Sequence, residues 1–292
     1  MLRVAIIGAN GQLGSDIAAM YKEREAEVIP LNHEDIEIGD SDSVRSILQE
    51  VAPEIVVNTA AMHNVDLCEE DPQQAFLVNG LGAKNLATVS NEIDYILVHI
   101  STDYVFDGKK SEPYVETDQP RPLNVYGNTK LSGEHFIEAI AEKYHIIRVS
   151  ALYGAQPCRA KGGLNFVSLM LKLGGERDEV RVVDSEMISP TYTLDAARQI
   201  EAIARSGQYG LFHATSMGCC SWYEFAREVF SITNVDVKLS VASSDEFPAK
   251  TQRPIYSVLD NHACRAAGLD LMPHWRDSLL TYLKDQSESG VL

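Results

Sequence analysis

A glycine-rich segment near the N-terminus constrains the fold more than any other feature of the chain. Residues 8–14 read GANGQLG, and they follow a short apolar run and open a helical pattern over residues 12–21. Gly8 permits a tight turn, Gly11 lets the backbone approach a pyrophosphate, and Gly14 lets the helix lie close to the strand. The N–H groups at the start of a helix favour an anion. In this context the pattern predicts a strand–turn–helix unit that binds a dinucleotide.

Apolar, β-branched runs alternate with helical patterns through the first half of the chain. Strands are predicted at residues 4–7, 28–29, 55–57, 95–100 and 146–149, and helices at residues 12–21, 43–51, 73–91 and 128–141. Such alternation is typical of a parallel sheet with helices on both faces. The sequence therefore predicts an α/β fold, a Rossmann-like doubly wound parallel sheet with a smaller C-terminal lobe.

The regular alternation of predicted strands and helices becomes less clear after about residue 150. Residues 1–150 are predicted to form the dinucleotide-binding domain, with returns of the chain near residues 191–214. Residues 151–292 mainly form the lobe, which is not an independent domain because no flexible linker precedes it. A loop rich in Gly and basic residues is predicted at residues 157–163.

Composition excludes several classes of function. The formal net charge of −17 argues against binding to nucleic acid or to anionic membranes, both of which need basic patches. No apolar stretch approaches the roughly 20 residues of a membrane helix. The five cysteines form no C-x-x-C pair, so buried reduced thiols and a cytoplasmic location are expected. The eight histidines show no metal-ligand spacing, and no metal site is predicted.

A tyrosine and a lysine lie four residues apart at Tyr126 and Lys130. If the segment is helical, the two side chains share one face, one turn apart. The ammonium group would then favour the phenolate and lower the phenol pKa, which suits Tyr126 to proton transfer near neutral pH. By itself this spacing is a weak signal, because solvated helix surfaces often carry such pairs.

A hydroxyl at the end of a predicted strand strengthens that interpretation. The apolar run 95–100 is followed by Ser101 and Thr102. Ligands of open α/β sheets bind at the carboxyl ends of the strands. Thr102 could therefore bond a substrate carbonyl oxygen, Tyr126 could give that oxygen a proton, and Lys130 could hold the ribose of a nicotinamide cofactor.

The choice between NAD and NADP stays open in the sequence. A carboxylate after the second strand normally holds the ribose 2′-hydroxyl, whereas arginine suits a 2′-phosphate. Residues 31–34 read LNHE, with neither a clear carboxylate at the strand end nor an arginine. Asn32 and His33 are compatible with either form.

Several motifs together resemble the extended short-chain dehydrogenase/reductases, and within them the RmlD-like branch of dTDP-4-dehydrorhamnose reductases. They span almost the whole chain in the family's order. The matching segments are GANGQLG at 8–14, VNTAA at 57–61, Val65-Asp66, Val78-Asn79, STDYVFDG at 101–108, PLNVYGNTKLSGE at 122–134 and RPIYSVLD at 253–260.

This resemblance implies reduction of a 4-keto-deoxysugar carried on a nucleoside diphosphate, with NADPH or NADH as cofactor. It places Thr102, Tyr126 and Lys130 at catalytic positions. The implied cofactor-binding residues are Gly8, Asn10, Gly11, Gln12, Leu13, Gly14, Glu37, Ile38, Ala60, Ala61, Tyr126 and Lys130. The implied substrate-binding residues are Val65, Thr102, Asp103, Tyr104 and Ala151. A nucleotide-sugar substrate and a homodimer are the expected partners.

One departure from the family pattern concerns the sugar pocket. Members of this branch commonly carry Trp where this chain has Ala151, within RVSALYG at residues 148–154. Because alanine lacks the large aromatic side chain, the sugar pocket is predicted to differ in shape or to be roomier. The cofactor chemistry does not depend on this position.

Three relatives on the same scaffold are the rival interpretations. A sugar-nucleotide 4,6-dehydratase would carry an Asp-Glu pair after its Thr, and here Tyr104 follows Asp103, which disfavours dehydration. A 4-epimerase would retain tightly bound nicotinamide. A non-catalytic subunit like that of methionine adenosyltransferase would not need an intact Thr102, Tyr126 and Lys130. The favoured prediction is reduction of dTDP-4-dehydrorhamnose to dTDP-L-rhamnose.

Overall fold

The computed structural model describes residues 1–158, 162–242 and 251–288. The strands are β1 (Arg3–Ile7), β2 (Glu27–Leu31), β3 (Ile55–Asn58), β4 (Ile96–Thr102), β5 (Tyr144–Val149), β6 (Leu152–Tyr153), β7 (Glu179–Val183), β8 (Met187–Ile188), β9 (Thr191–Tyr192), β10 (Gly210–His213), β11 (Cys220–Ser221) and β12 (Lys238–Ala242). The helices are α1 (Gln12–Glu23), α2 (Ser41–Val51), α3 (Val65–Glu70), α4 (Pro72–Phe76), α5 (Gly82–Ile93), α6 (Val125–Ile140), α7 (Phe166–Glu176), α8 (Thr193–Arg205), α9 (Trp222–Thr233), α10 (His262–Ala266) and α11 (Trp275–Glu288).

Six parallel strands form the central sheet, in the order β2-β1-β3-β4-β5-β10. Its inner strands are buried along nearly their whole length, as expected for a parallel sheet covered on both sides. One face packs against α1 and α8, and the other packs against α2, α5 and α6. The predicted α/β, doubly wound architecture is confirmed.

The strand order reverses at β1, which has β2 on one side and β3 on the other. A crevice opens at such a reversal, outside the carboxyl ends of the strands. The segments that follow β1, β3 and β4 all leave the sheet at this edge. The fold therefore brings the glycine loop, the VNTAA segment and the STD segment to one place.

The prediction of one continuous helix over residues 73–91 is wrong, because the helix is interrupted near its middle. The chain instead forms α4, a π-helical turn at Leu77–Leu81 and then α5. Asn79 lies in this turn, and its side-chain amide bonds the Met62 backbone and the Thr129 hydroxyl. These bonds to other parts of the chain hold the wider turn, and such turns are frequent at functional sites.

The helix that carries Tyr126 and Lys130 begins earlier than predicted. The expected start was residue 128, whereas α6 begins at Val125. Asn124 is its N-cap, and its side-chain oxygen accepts from the Gly127 N–H at 2.8 Å. A capping bond of this kind satisfies an N–H that the first turn would otherwise leave unpaired. Tyr126 therefore lies inside the helix.

Short strands and three helices form a second hydrophobic core after residue 150. Helices α7, α9 and α11 pack together there, and β7 pairs with β12 beside them. Residues of α8 and β10 instead join the core of the main sheet. In the predicted 157–163 loop, Cys158 and Gly163 exchange backbone hydrogen bonds, and residues 159–161 lie outside the described residues.

The cysteine environments differ from a uniform set of buried thiols. Cys68, Cys220 and Cys264 are buried, whereas Cys158 is partly exposed and Cys219 is exposed. All five are free thiols. Within the described part of the chain, no helix is both long enough and apolar enough to cross a membrane.

Candidate active site

The glycine loop is folded so tightly that a side chain at its glycine positions would collide with the backbone. Gly8 has a φ of +79°, a conformation that favours glycine. A Cβ at Gly14 would lie 2.2 Å from the Gly8 carbonyl oxygen, and a Cβ at Gly11 would lie 3.3 Å from it. Gly11 is the N-cap of α1, and no side chain caps this helix end. Its first N–H groups therefore point at the crevice without intrahelical acceptors, which suits a pyrophosphate.

The far end of the loop meets the segment after β2. The Asn10 N–H donates to the Asn32 side-chain oxygen at 3.2 Å. The Glu37 carboxylate accepts from the Gly39 N–H at 2.9 Å and lies 3.4 Å from the His33 ring. No arginine is among the residues that line this part of the cavity, within the described chain. The geometry keeps both NAD and NADP open.

Tyr126 and Lys130 lie one turn apart in α6, as the spacing predicts, but Lys130 turns away toward the sheet. The amine of this buried lysine donates to the Ile100 carbonyl oxygen at 2.6 Å and lies 3.1 Å from the His99 Nε2. Burial lowers the pKa of Lys130 to about 8, and the nearby Glu134 charge opposes that shift. The ammonium form of Lys130 is therefore less favoured than in water, but it still predominates at neutral pH.

The expected lowering of the Tyr126 pKa is wrong for this arrangement. Burial raises the pKa of Tyr126 above its ordinary value, the Asp103 charge adds to that rise, and the Thr102 hydroxyl opposes it. The physical reason is that desolvation of a phenolate outweighs an amine that points elsewhere. A phenol that keeps its proton can donate it, which is the role that the sequence analysis predicts for Tyr126.

Thr102 is the last residue of β4, and its hydroxyl forms hydrogen bonds with the next two residues. Its hydroxyl donates to the Asp103 carboxylate at 3.0 Å and accepts from the Tyr104 N–H at 3.2 Å. Asp103 also accepts from the Ser150 hydroxyl at 2.9 Å. Burial raises the pKa of Asp103 to about 6, and hydrogen bonds from Ser257, Ser150 and Thr102 oppose the rise. Asp103 therefore orients the Thr102 hydroxyl within the protein.

Two polar networks behind the site were not predicted. Ser101 donates to Glu134, and Arg148 forms a buried ion pair with the same carboxylate through Nε at 2.9 Å. His99 bonds both Lys130 and Asn58. A signal was present in the sequence, because His99 and Ser101 alternate in an apolar strand and therefore project from one face toward α6.

A cavity of about 850 Å³ joins these features. Every residue predicted to be catalytic or to bind the cofactor or the substrate lines it: Gly8, Asn10, Gly11, Gln12, Leu13, Gly14, Glu37, Ile38, Ala60, Ala61, Val65, Thr102, Asp103, Tyr104, Tyr126, Lys130 and Ala151. Its volume suits a bound small molecule or cofactor. The glycine loop occupies one part of the wall, and Thr102 and Tyr126 occupy another.

The wall beside Ala151 carries aromatic and cationic groups that the sequence did not single out. Ala151 has a φ of +43°, so it is held in the left-handed region. Phe166 and Trp222 line the same cavity, with ring centroids 4.6 Å apart. Arg253 also lines it, and its Nε is buried without a hydrogen-bond partner in the described chain. The described residues hold no group of three or more His, Cys, Asp or Glu arranged for a metal ion.

Comparison with known proteins places this architecture in one family. The model of the RmlD substrate binding domain matches residues 2–288. The chain is 40% identical to the spore coat polysaccharide biosynthesis protein SpsK of Bacillus subtilis, over 99% of each chain. It is 40% identical to a solved dTDP-4-dehydrorhamnose reductase of Clostridium acetobutylicum, with a TM-score of 0.93 over 98% of this chain and 100% of that one.

A second solved structure contains the cofactor. The dTDP-4-dehydrorhamnose reductase of Bacillus anthracis, in complex with NADP, is 37% identical with a TM-score of 0.93, over 98% of this chain and 100% of that one. These likenesses cover nearly the whole chain, and they confirm the resemblance that the motifs indicated. The chain belongs to the RmlD family of the extended short-chain dehydrogenase/reductases.

Proposed function

We propose that this protein is an NAD(P)H-dependent reductase of a nucleotide-linked 4-keto-deoxysugar, dTDP-4-dehydrorhamnose, and that its product is dTDP-L-rhamnose. One observation carries the proposal. A proton-donating tyrosine, a strand-end threonine and a pyrophosphate-binding loop line a single cavity at the carboxyl edge of the sheet. The names of the solved relatives, both dTDP-4-dehydrorhamnose reductases, support the choice of substrate.

The cofactor would bind along the glycine loop. The N–H groups at the start of α1 would hold the pyrophosphate, and the segment at Glu37 and Ile38 would hold the adenosine end. Ala60 and Ala61 would contact the middle of the dinucleotide. Lys130 lines the same cavity, and its amine would turn from Ile100 and His99 to reach the nicotinamide ribose. When bound, the reduced nicotinamide supplies the hydride for the carbonyl carbon.

The protein's own residues would handle the proton. Tyr126 keeps its proton because burial raises its pKa, so its O–H is available to the C4 oxygen as charge develops there. Thr102 lies beside it and would hold the same oxygen. In the structure the Thr102 hydroxyl donates its single hydrogen to Asp103 at 3.0 Å, so this hydrogen would turn to the substrate oxygen when the keto sugar binds.

The nucleotide half of the substrate would extend toward the C-terminal core. Arg253 offers a cation for the diphosphate, which an otherwise acidic protein must supply locally. The Phe166 and Trp222 rings offer flat surfaces for the base. Val65, Tyr104 and Ala151 would face the sugar, and the small side chain at Ala151 leaves room beside it.

The test is a substrate panel with both cofactors. Purified protein is incubated with dTDP-4-dehydrorhamnose, with other 4-keto sugar nucleotides and with NADH or NADPH, and the absorbance of the reduced cofactor is followed. We expect turnover with dTDP-4-dehydrorhamnose and exchange of cofactor with solution. Failure to oxidise cofactor with any keto sugar, in protein that binds the cofactor, would contradict the proposal. A homodimer and a cytoplasmic location stay predictions, and sedimentation would test the first.

A further inference from the structure

The side chain of Asn124 uses both ends of its amide to join two distant parts of the chain. Its Oδ1 accepts from the Gly127 N–H at 2.8 Å and so caps α6, the helix that carries Tyr126. Its Nδ2 donates to the Gln252 carbonyl oxygen at 3.0 Å. Asn124 is almost fully buried, so water competes little for either bond. One side chain therefore connects the start of the tyrosine helix with the segment that precedes Arg253.

Helix α3 holds the same two parts of the chain. The Asp66 carboxylate accepts from the Thr251 hydroxyl at 2.8 Å, and Thr251 is almost fully buried. One turn along α3, the Glu69 carboxylate accepts from the Val125 N–H at 2.8 Å. The segment that leads to Arg253 is thus fixed at two successive residues, by α3 at the first and by Asn124 at the second.

The Gln252 carbonyl controls the position of Arg253 through the backbone. This carbonyl belongs to the planar peptide unit that ends at the Arg253 nitrogen, so a hydrogen bond to it fixes the plane from which Arg253 extends. Pro254 follows and disfavours the helical conformation of Arg253. A Cβ at Gly108 would lie 2.8 Å from the Pro254 Cα, so the chain is closely packed beyond Arg253 as well.

The Arg253 guanidinium faces the cavity with donors to spare. It lines the cavity together with Tyr104. Burial raises the pKa of Tyr104, and the Arg253 charge opposes that rise. Its ion-pair contact with Asp66 is long, at 3.9 Å, and its Nε is buried without a hydrogen-bond partner in the described chain. These donors suit the oxygens of a diphosphate.

We propose that Asn124 is a positioning residue that holds Arg253 in place for the nucleoside diphosphate of the substrate, besides capping α6. The inference rests on the proposed function, which assigns the diphosphate to Arg253. The bond from Asn124 to Gln252 orders the segment before the nucleotide arrives, so less conformational freedom is lost on binding. Without this donor the nucleotide must order the segment itself, and its affinity falls.

The two roles of Asn124 can be separated by substitution. Serine is as good an N-cap as asparagine, so its hydroxyl can still accept from the Gly127 N–H, but it is too short to place a donor where Nδ2 lies. Asn124→Ser should therefore unfold in urea close to the wild type. Asn128→Ser is the matched control, because it removes an exposed amide of the same helix that bonds the Asn124 backbone.

The readout is the affinity for dTDP, measured by isothermal titration calorimetry. Full-length protein is first saturated with NAD⁺ or NADP⁺, whichever binds more tightly, so that dTDP cannot enter the cofactor region. The loss of one hydrogen bond corresponds to a change of about fivefold in affinity, so Asn124→Ser should bind dTDP about fivefold more weakly. The dTDP affinity of Asn128→Ser and the cofactor affinity of Asn124→Ser should match the wild type.

A double variant distinguishes positioning of Arg253 from general loosening of the site. Arg253→Ala should itself weaken dTDP binding, and adding Asn124→Ser should then cost nothing further, because Asn124 acts through Arg253. An equal loss with and without Arg253 would overturn the proposal. Unchanged dTDP affinity in folded Asn124→Ser, or a wild type that binds no dTDP, would overturn it as well.

Asn124→Asp is the second variant if Asn124→Ser folds poorly. Aspartate caps a helix equally well, and its carboxylate places an acceptor against the Gln252 carbonyl, so dTDP binding should again weaken. Failure of both variants to fold would overturn the separation of the two roles. None of these measurements uses turnover. Failure of every keto-sugar substrate would therefore contradict the proposed function alone, and turnover with unchanged dTDP affinity in Asn124→Ser would contradict the role of Asn124 alone.

Discussion

Replacing Lys130 by methionine is expected to make the stability of the protein less dependent on pH above neutrality. Lys130 is 2% exposed, and burial lowers its pKa from 10.5 to about 8. At about 1.4 kcal/mol per pKa unit, the charged form costs the folded state about 3 kcal/mol below pH 8. Methionine fills a similar volume without a charge.

The sign of the effect follows from proton binding. Between pH 8 and 10.5 the unfolded lysine holds a proton that the folded lysine has released, so the stability of the wild type rises with pH across this window. The methionine variant lacks that rise. It also loses the hydrogen bonds to Ile100 and His99, at about 1 kcal/mol each. The variant should be more stable than wild type by about 1 kcal/mol at pH 7, and less stable by about 2 kcal/mol near pH 10.5.

Urea unfolding followed by circular dichroism at several pH values measures this difference. Lys22→Met, which removes an exposed lysine of α1, controls for the loss of one positive charge. The free-energy difference between Lys130→Met and wild type should fall by about 3 kcal/mol between pH 7.5 and 10.5. A difference that stays constant over this range would refute the reasoning that burial depresses the lysine charge.

Three further substitutions test separate parts of the site. Gly14→Ala would place a Cβ 2.2 Å from the Gly8 carbonyl oxygen, so the loop must shift and NADPH should bind at least about tenfold more weakly in a fluorescence titration. Glu134→Gln leaves the buried Arg148 charge without its partner, and urea unfolding should show a loss of about 3 kcal/mol. Thr102→Val removes the strand-end hydroxyl and should lower kcat by about 10²-fold with unchanged cofactor affinity. Unchanged NADPH affinity in Gly14→Ala, unchanged stability in Glu134→Gln, or unchanged kcat in Thr102→Val would contradict the corresponding expectation.

The main sheet, and the meeting of the glycine loop and Thr102 at one of its edges, follow from local patterns in the sequence. Apart from Tyr126 and Lys130, the other predicted residues of the cavity follow from the family resemblance. Apolar runs that alternate with helical periodicity predict parallel strands, and the carboxyl ends of such strands meet at one edge. This geometry brings Gly8, Ala60 and Thr102 together although they are far apart along the chain. The helical spacing of Tyr126 and Lys130 likewise follows from sequence.

Features that depend on contacts across space were not predictable in this way. The π-helical turn at Asn79 depends on bonds to Met62 and Thr129. The direction of the Lys130 amine depends on acceptors in β4, which spacing along a helix does not reveal. The error about the Tyr126 pKa has the same origin, because proximity along α6 does not specify where the amine points.

The most direct test of the central claim is the effect of Tyr126→Phe on reduction of dTDP-4-dehydrorhamnose by NADPH. This substitution removes the proton donor and keeps the ring that packs against Tyr104, at a centroid distance of 5.8 Å in the wild type. We predict that kcat falls by about 10²- to 10⁴-fold, while NADPH binds with unchanged affinity. Turnover close to that of the wild type would contradict the assignment of Tyr126 as the proton donor.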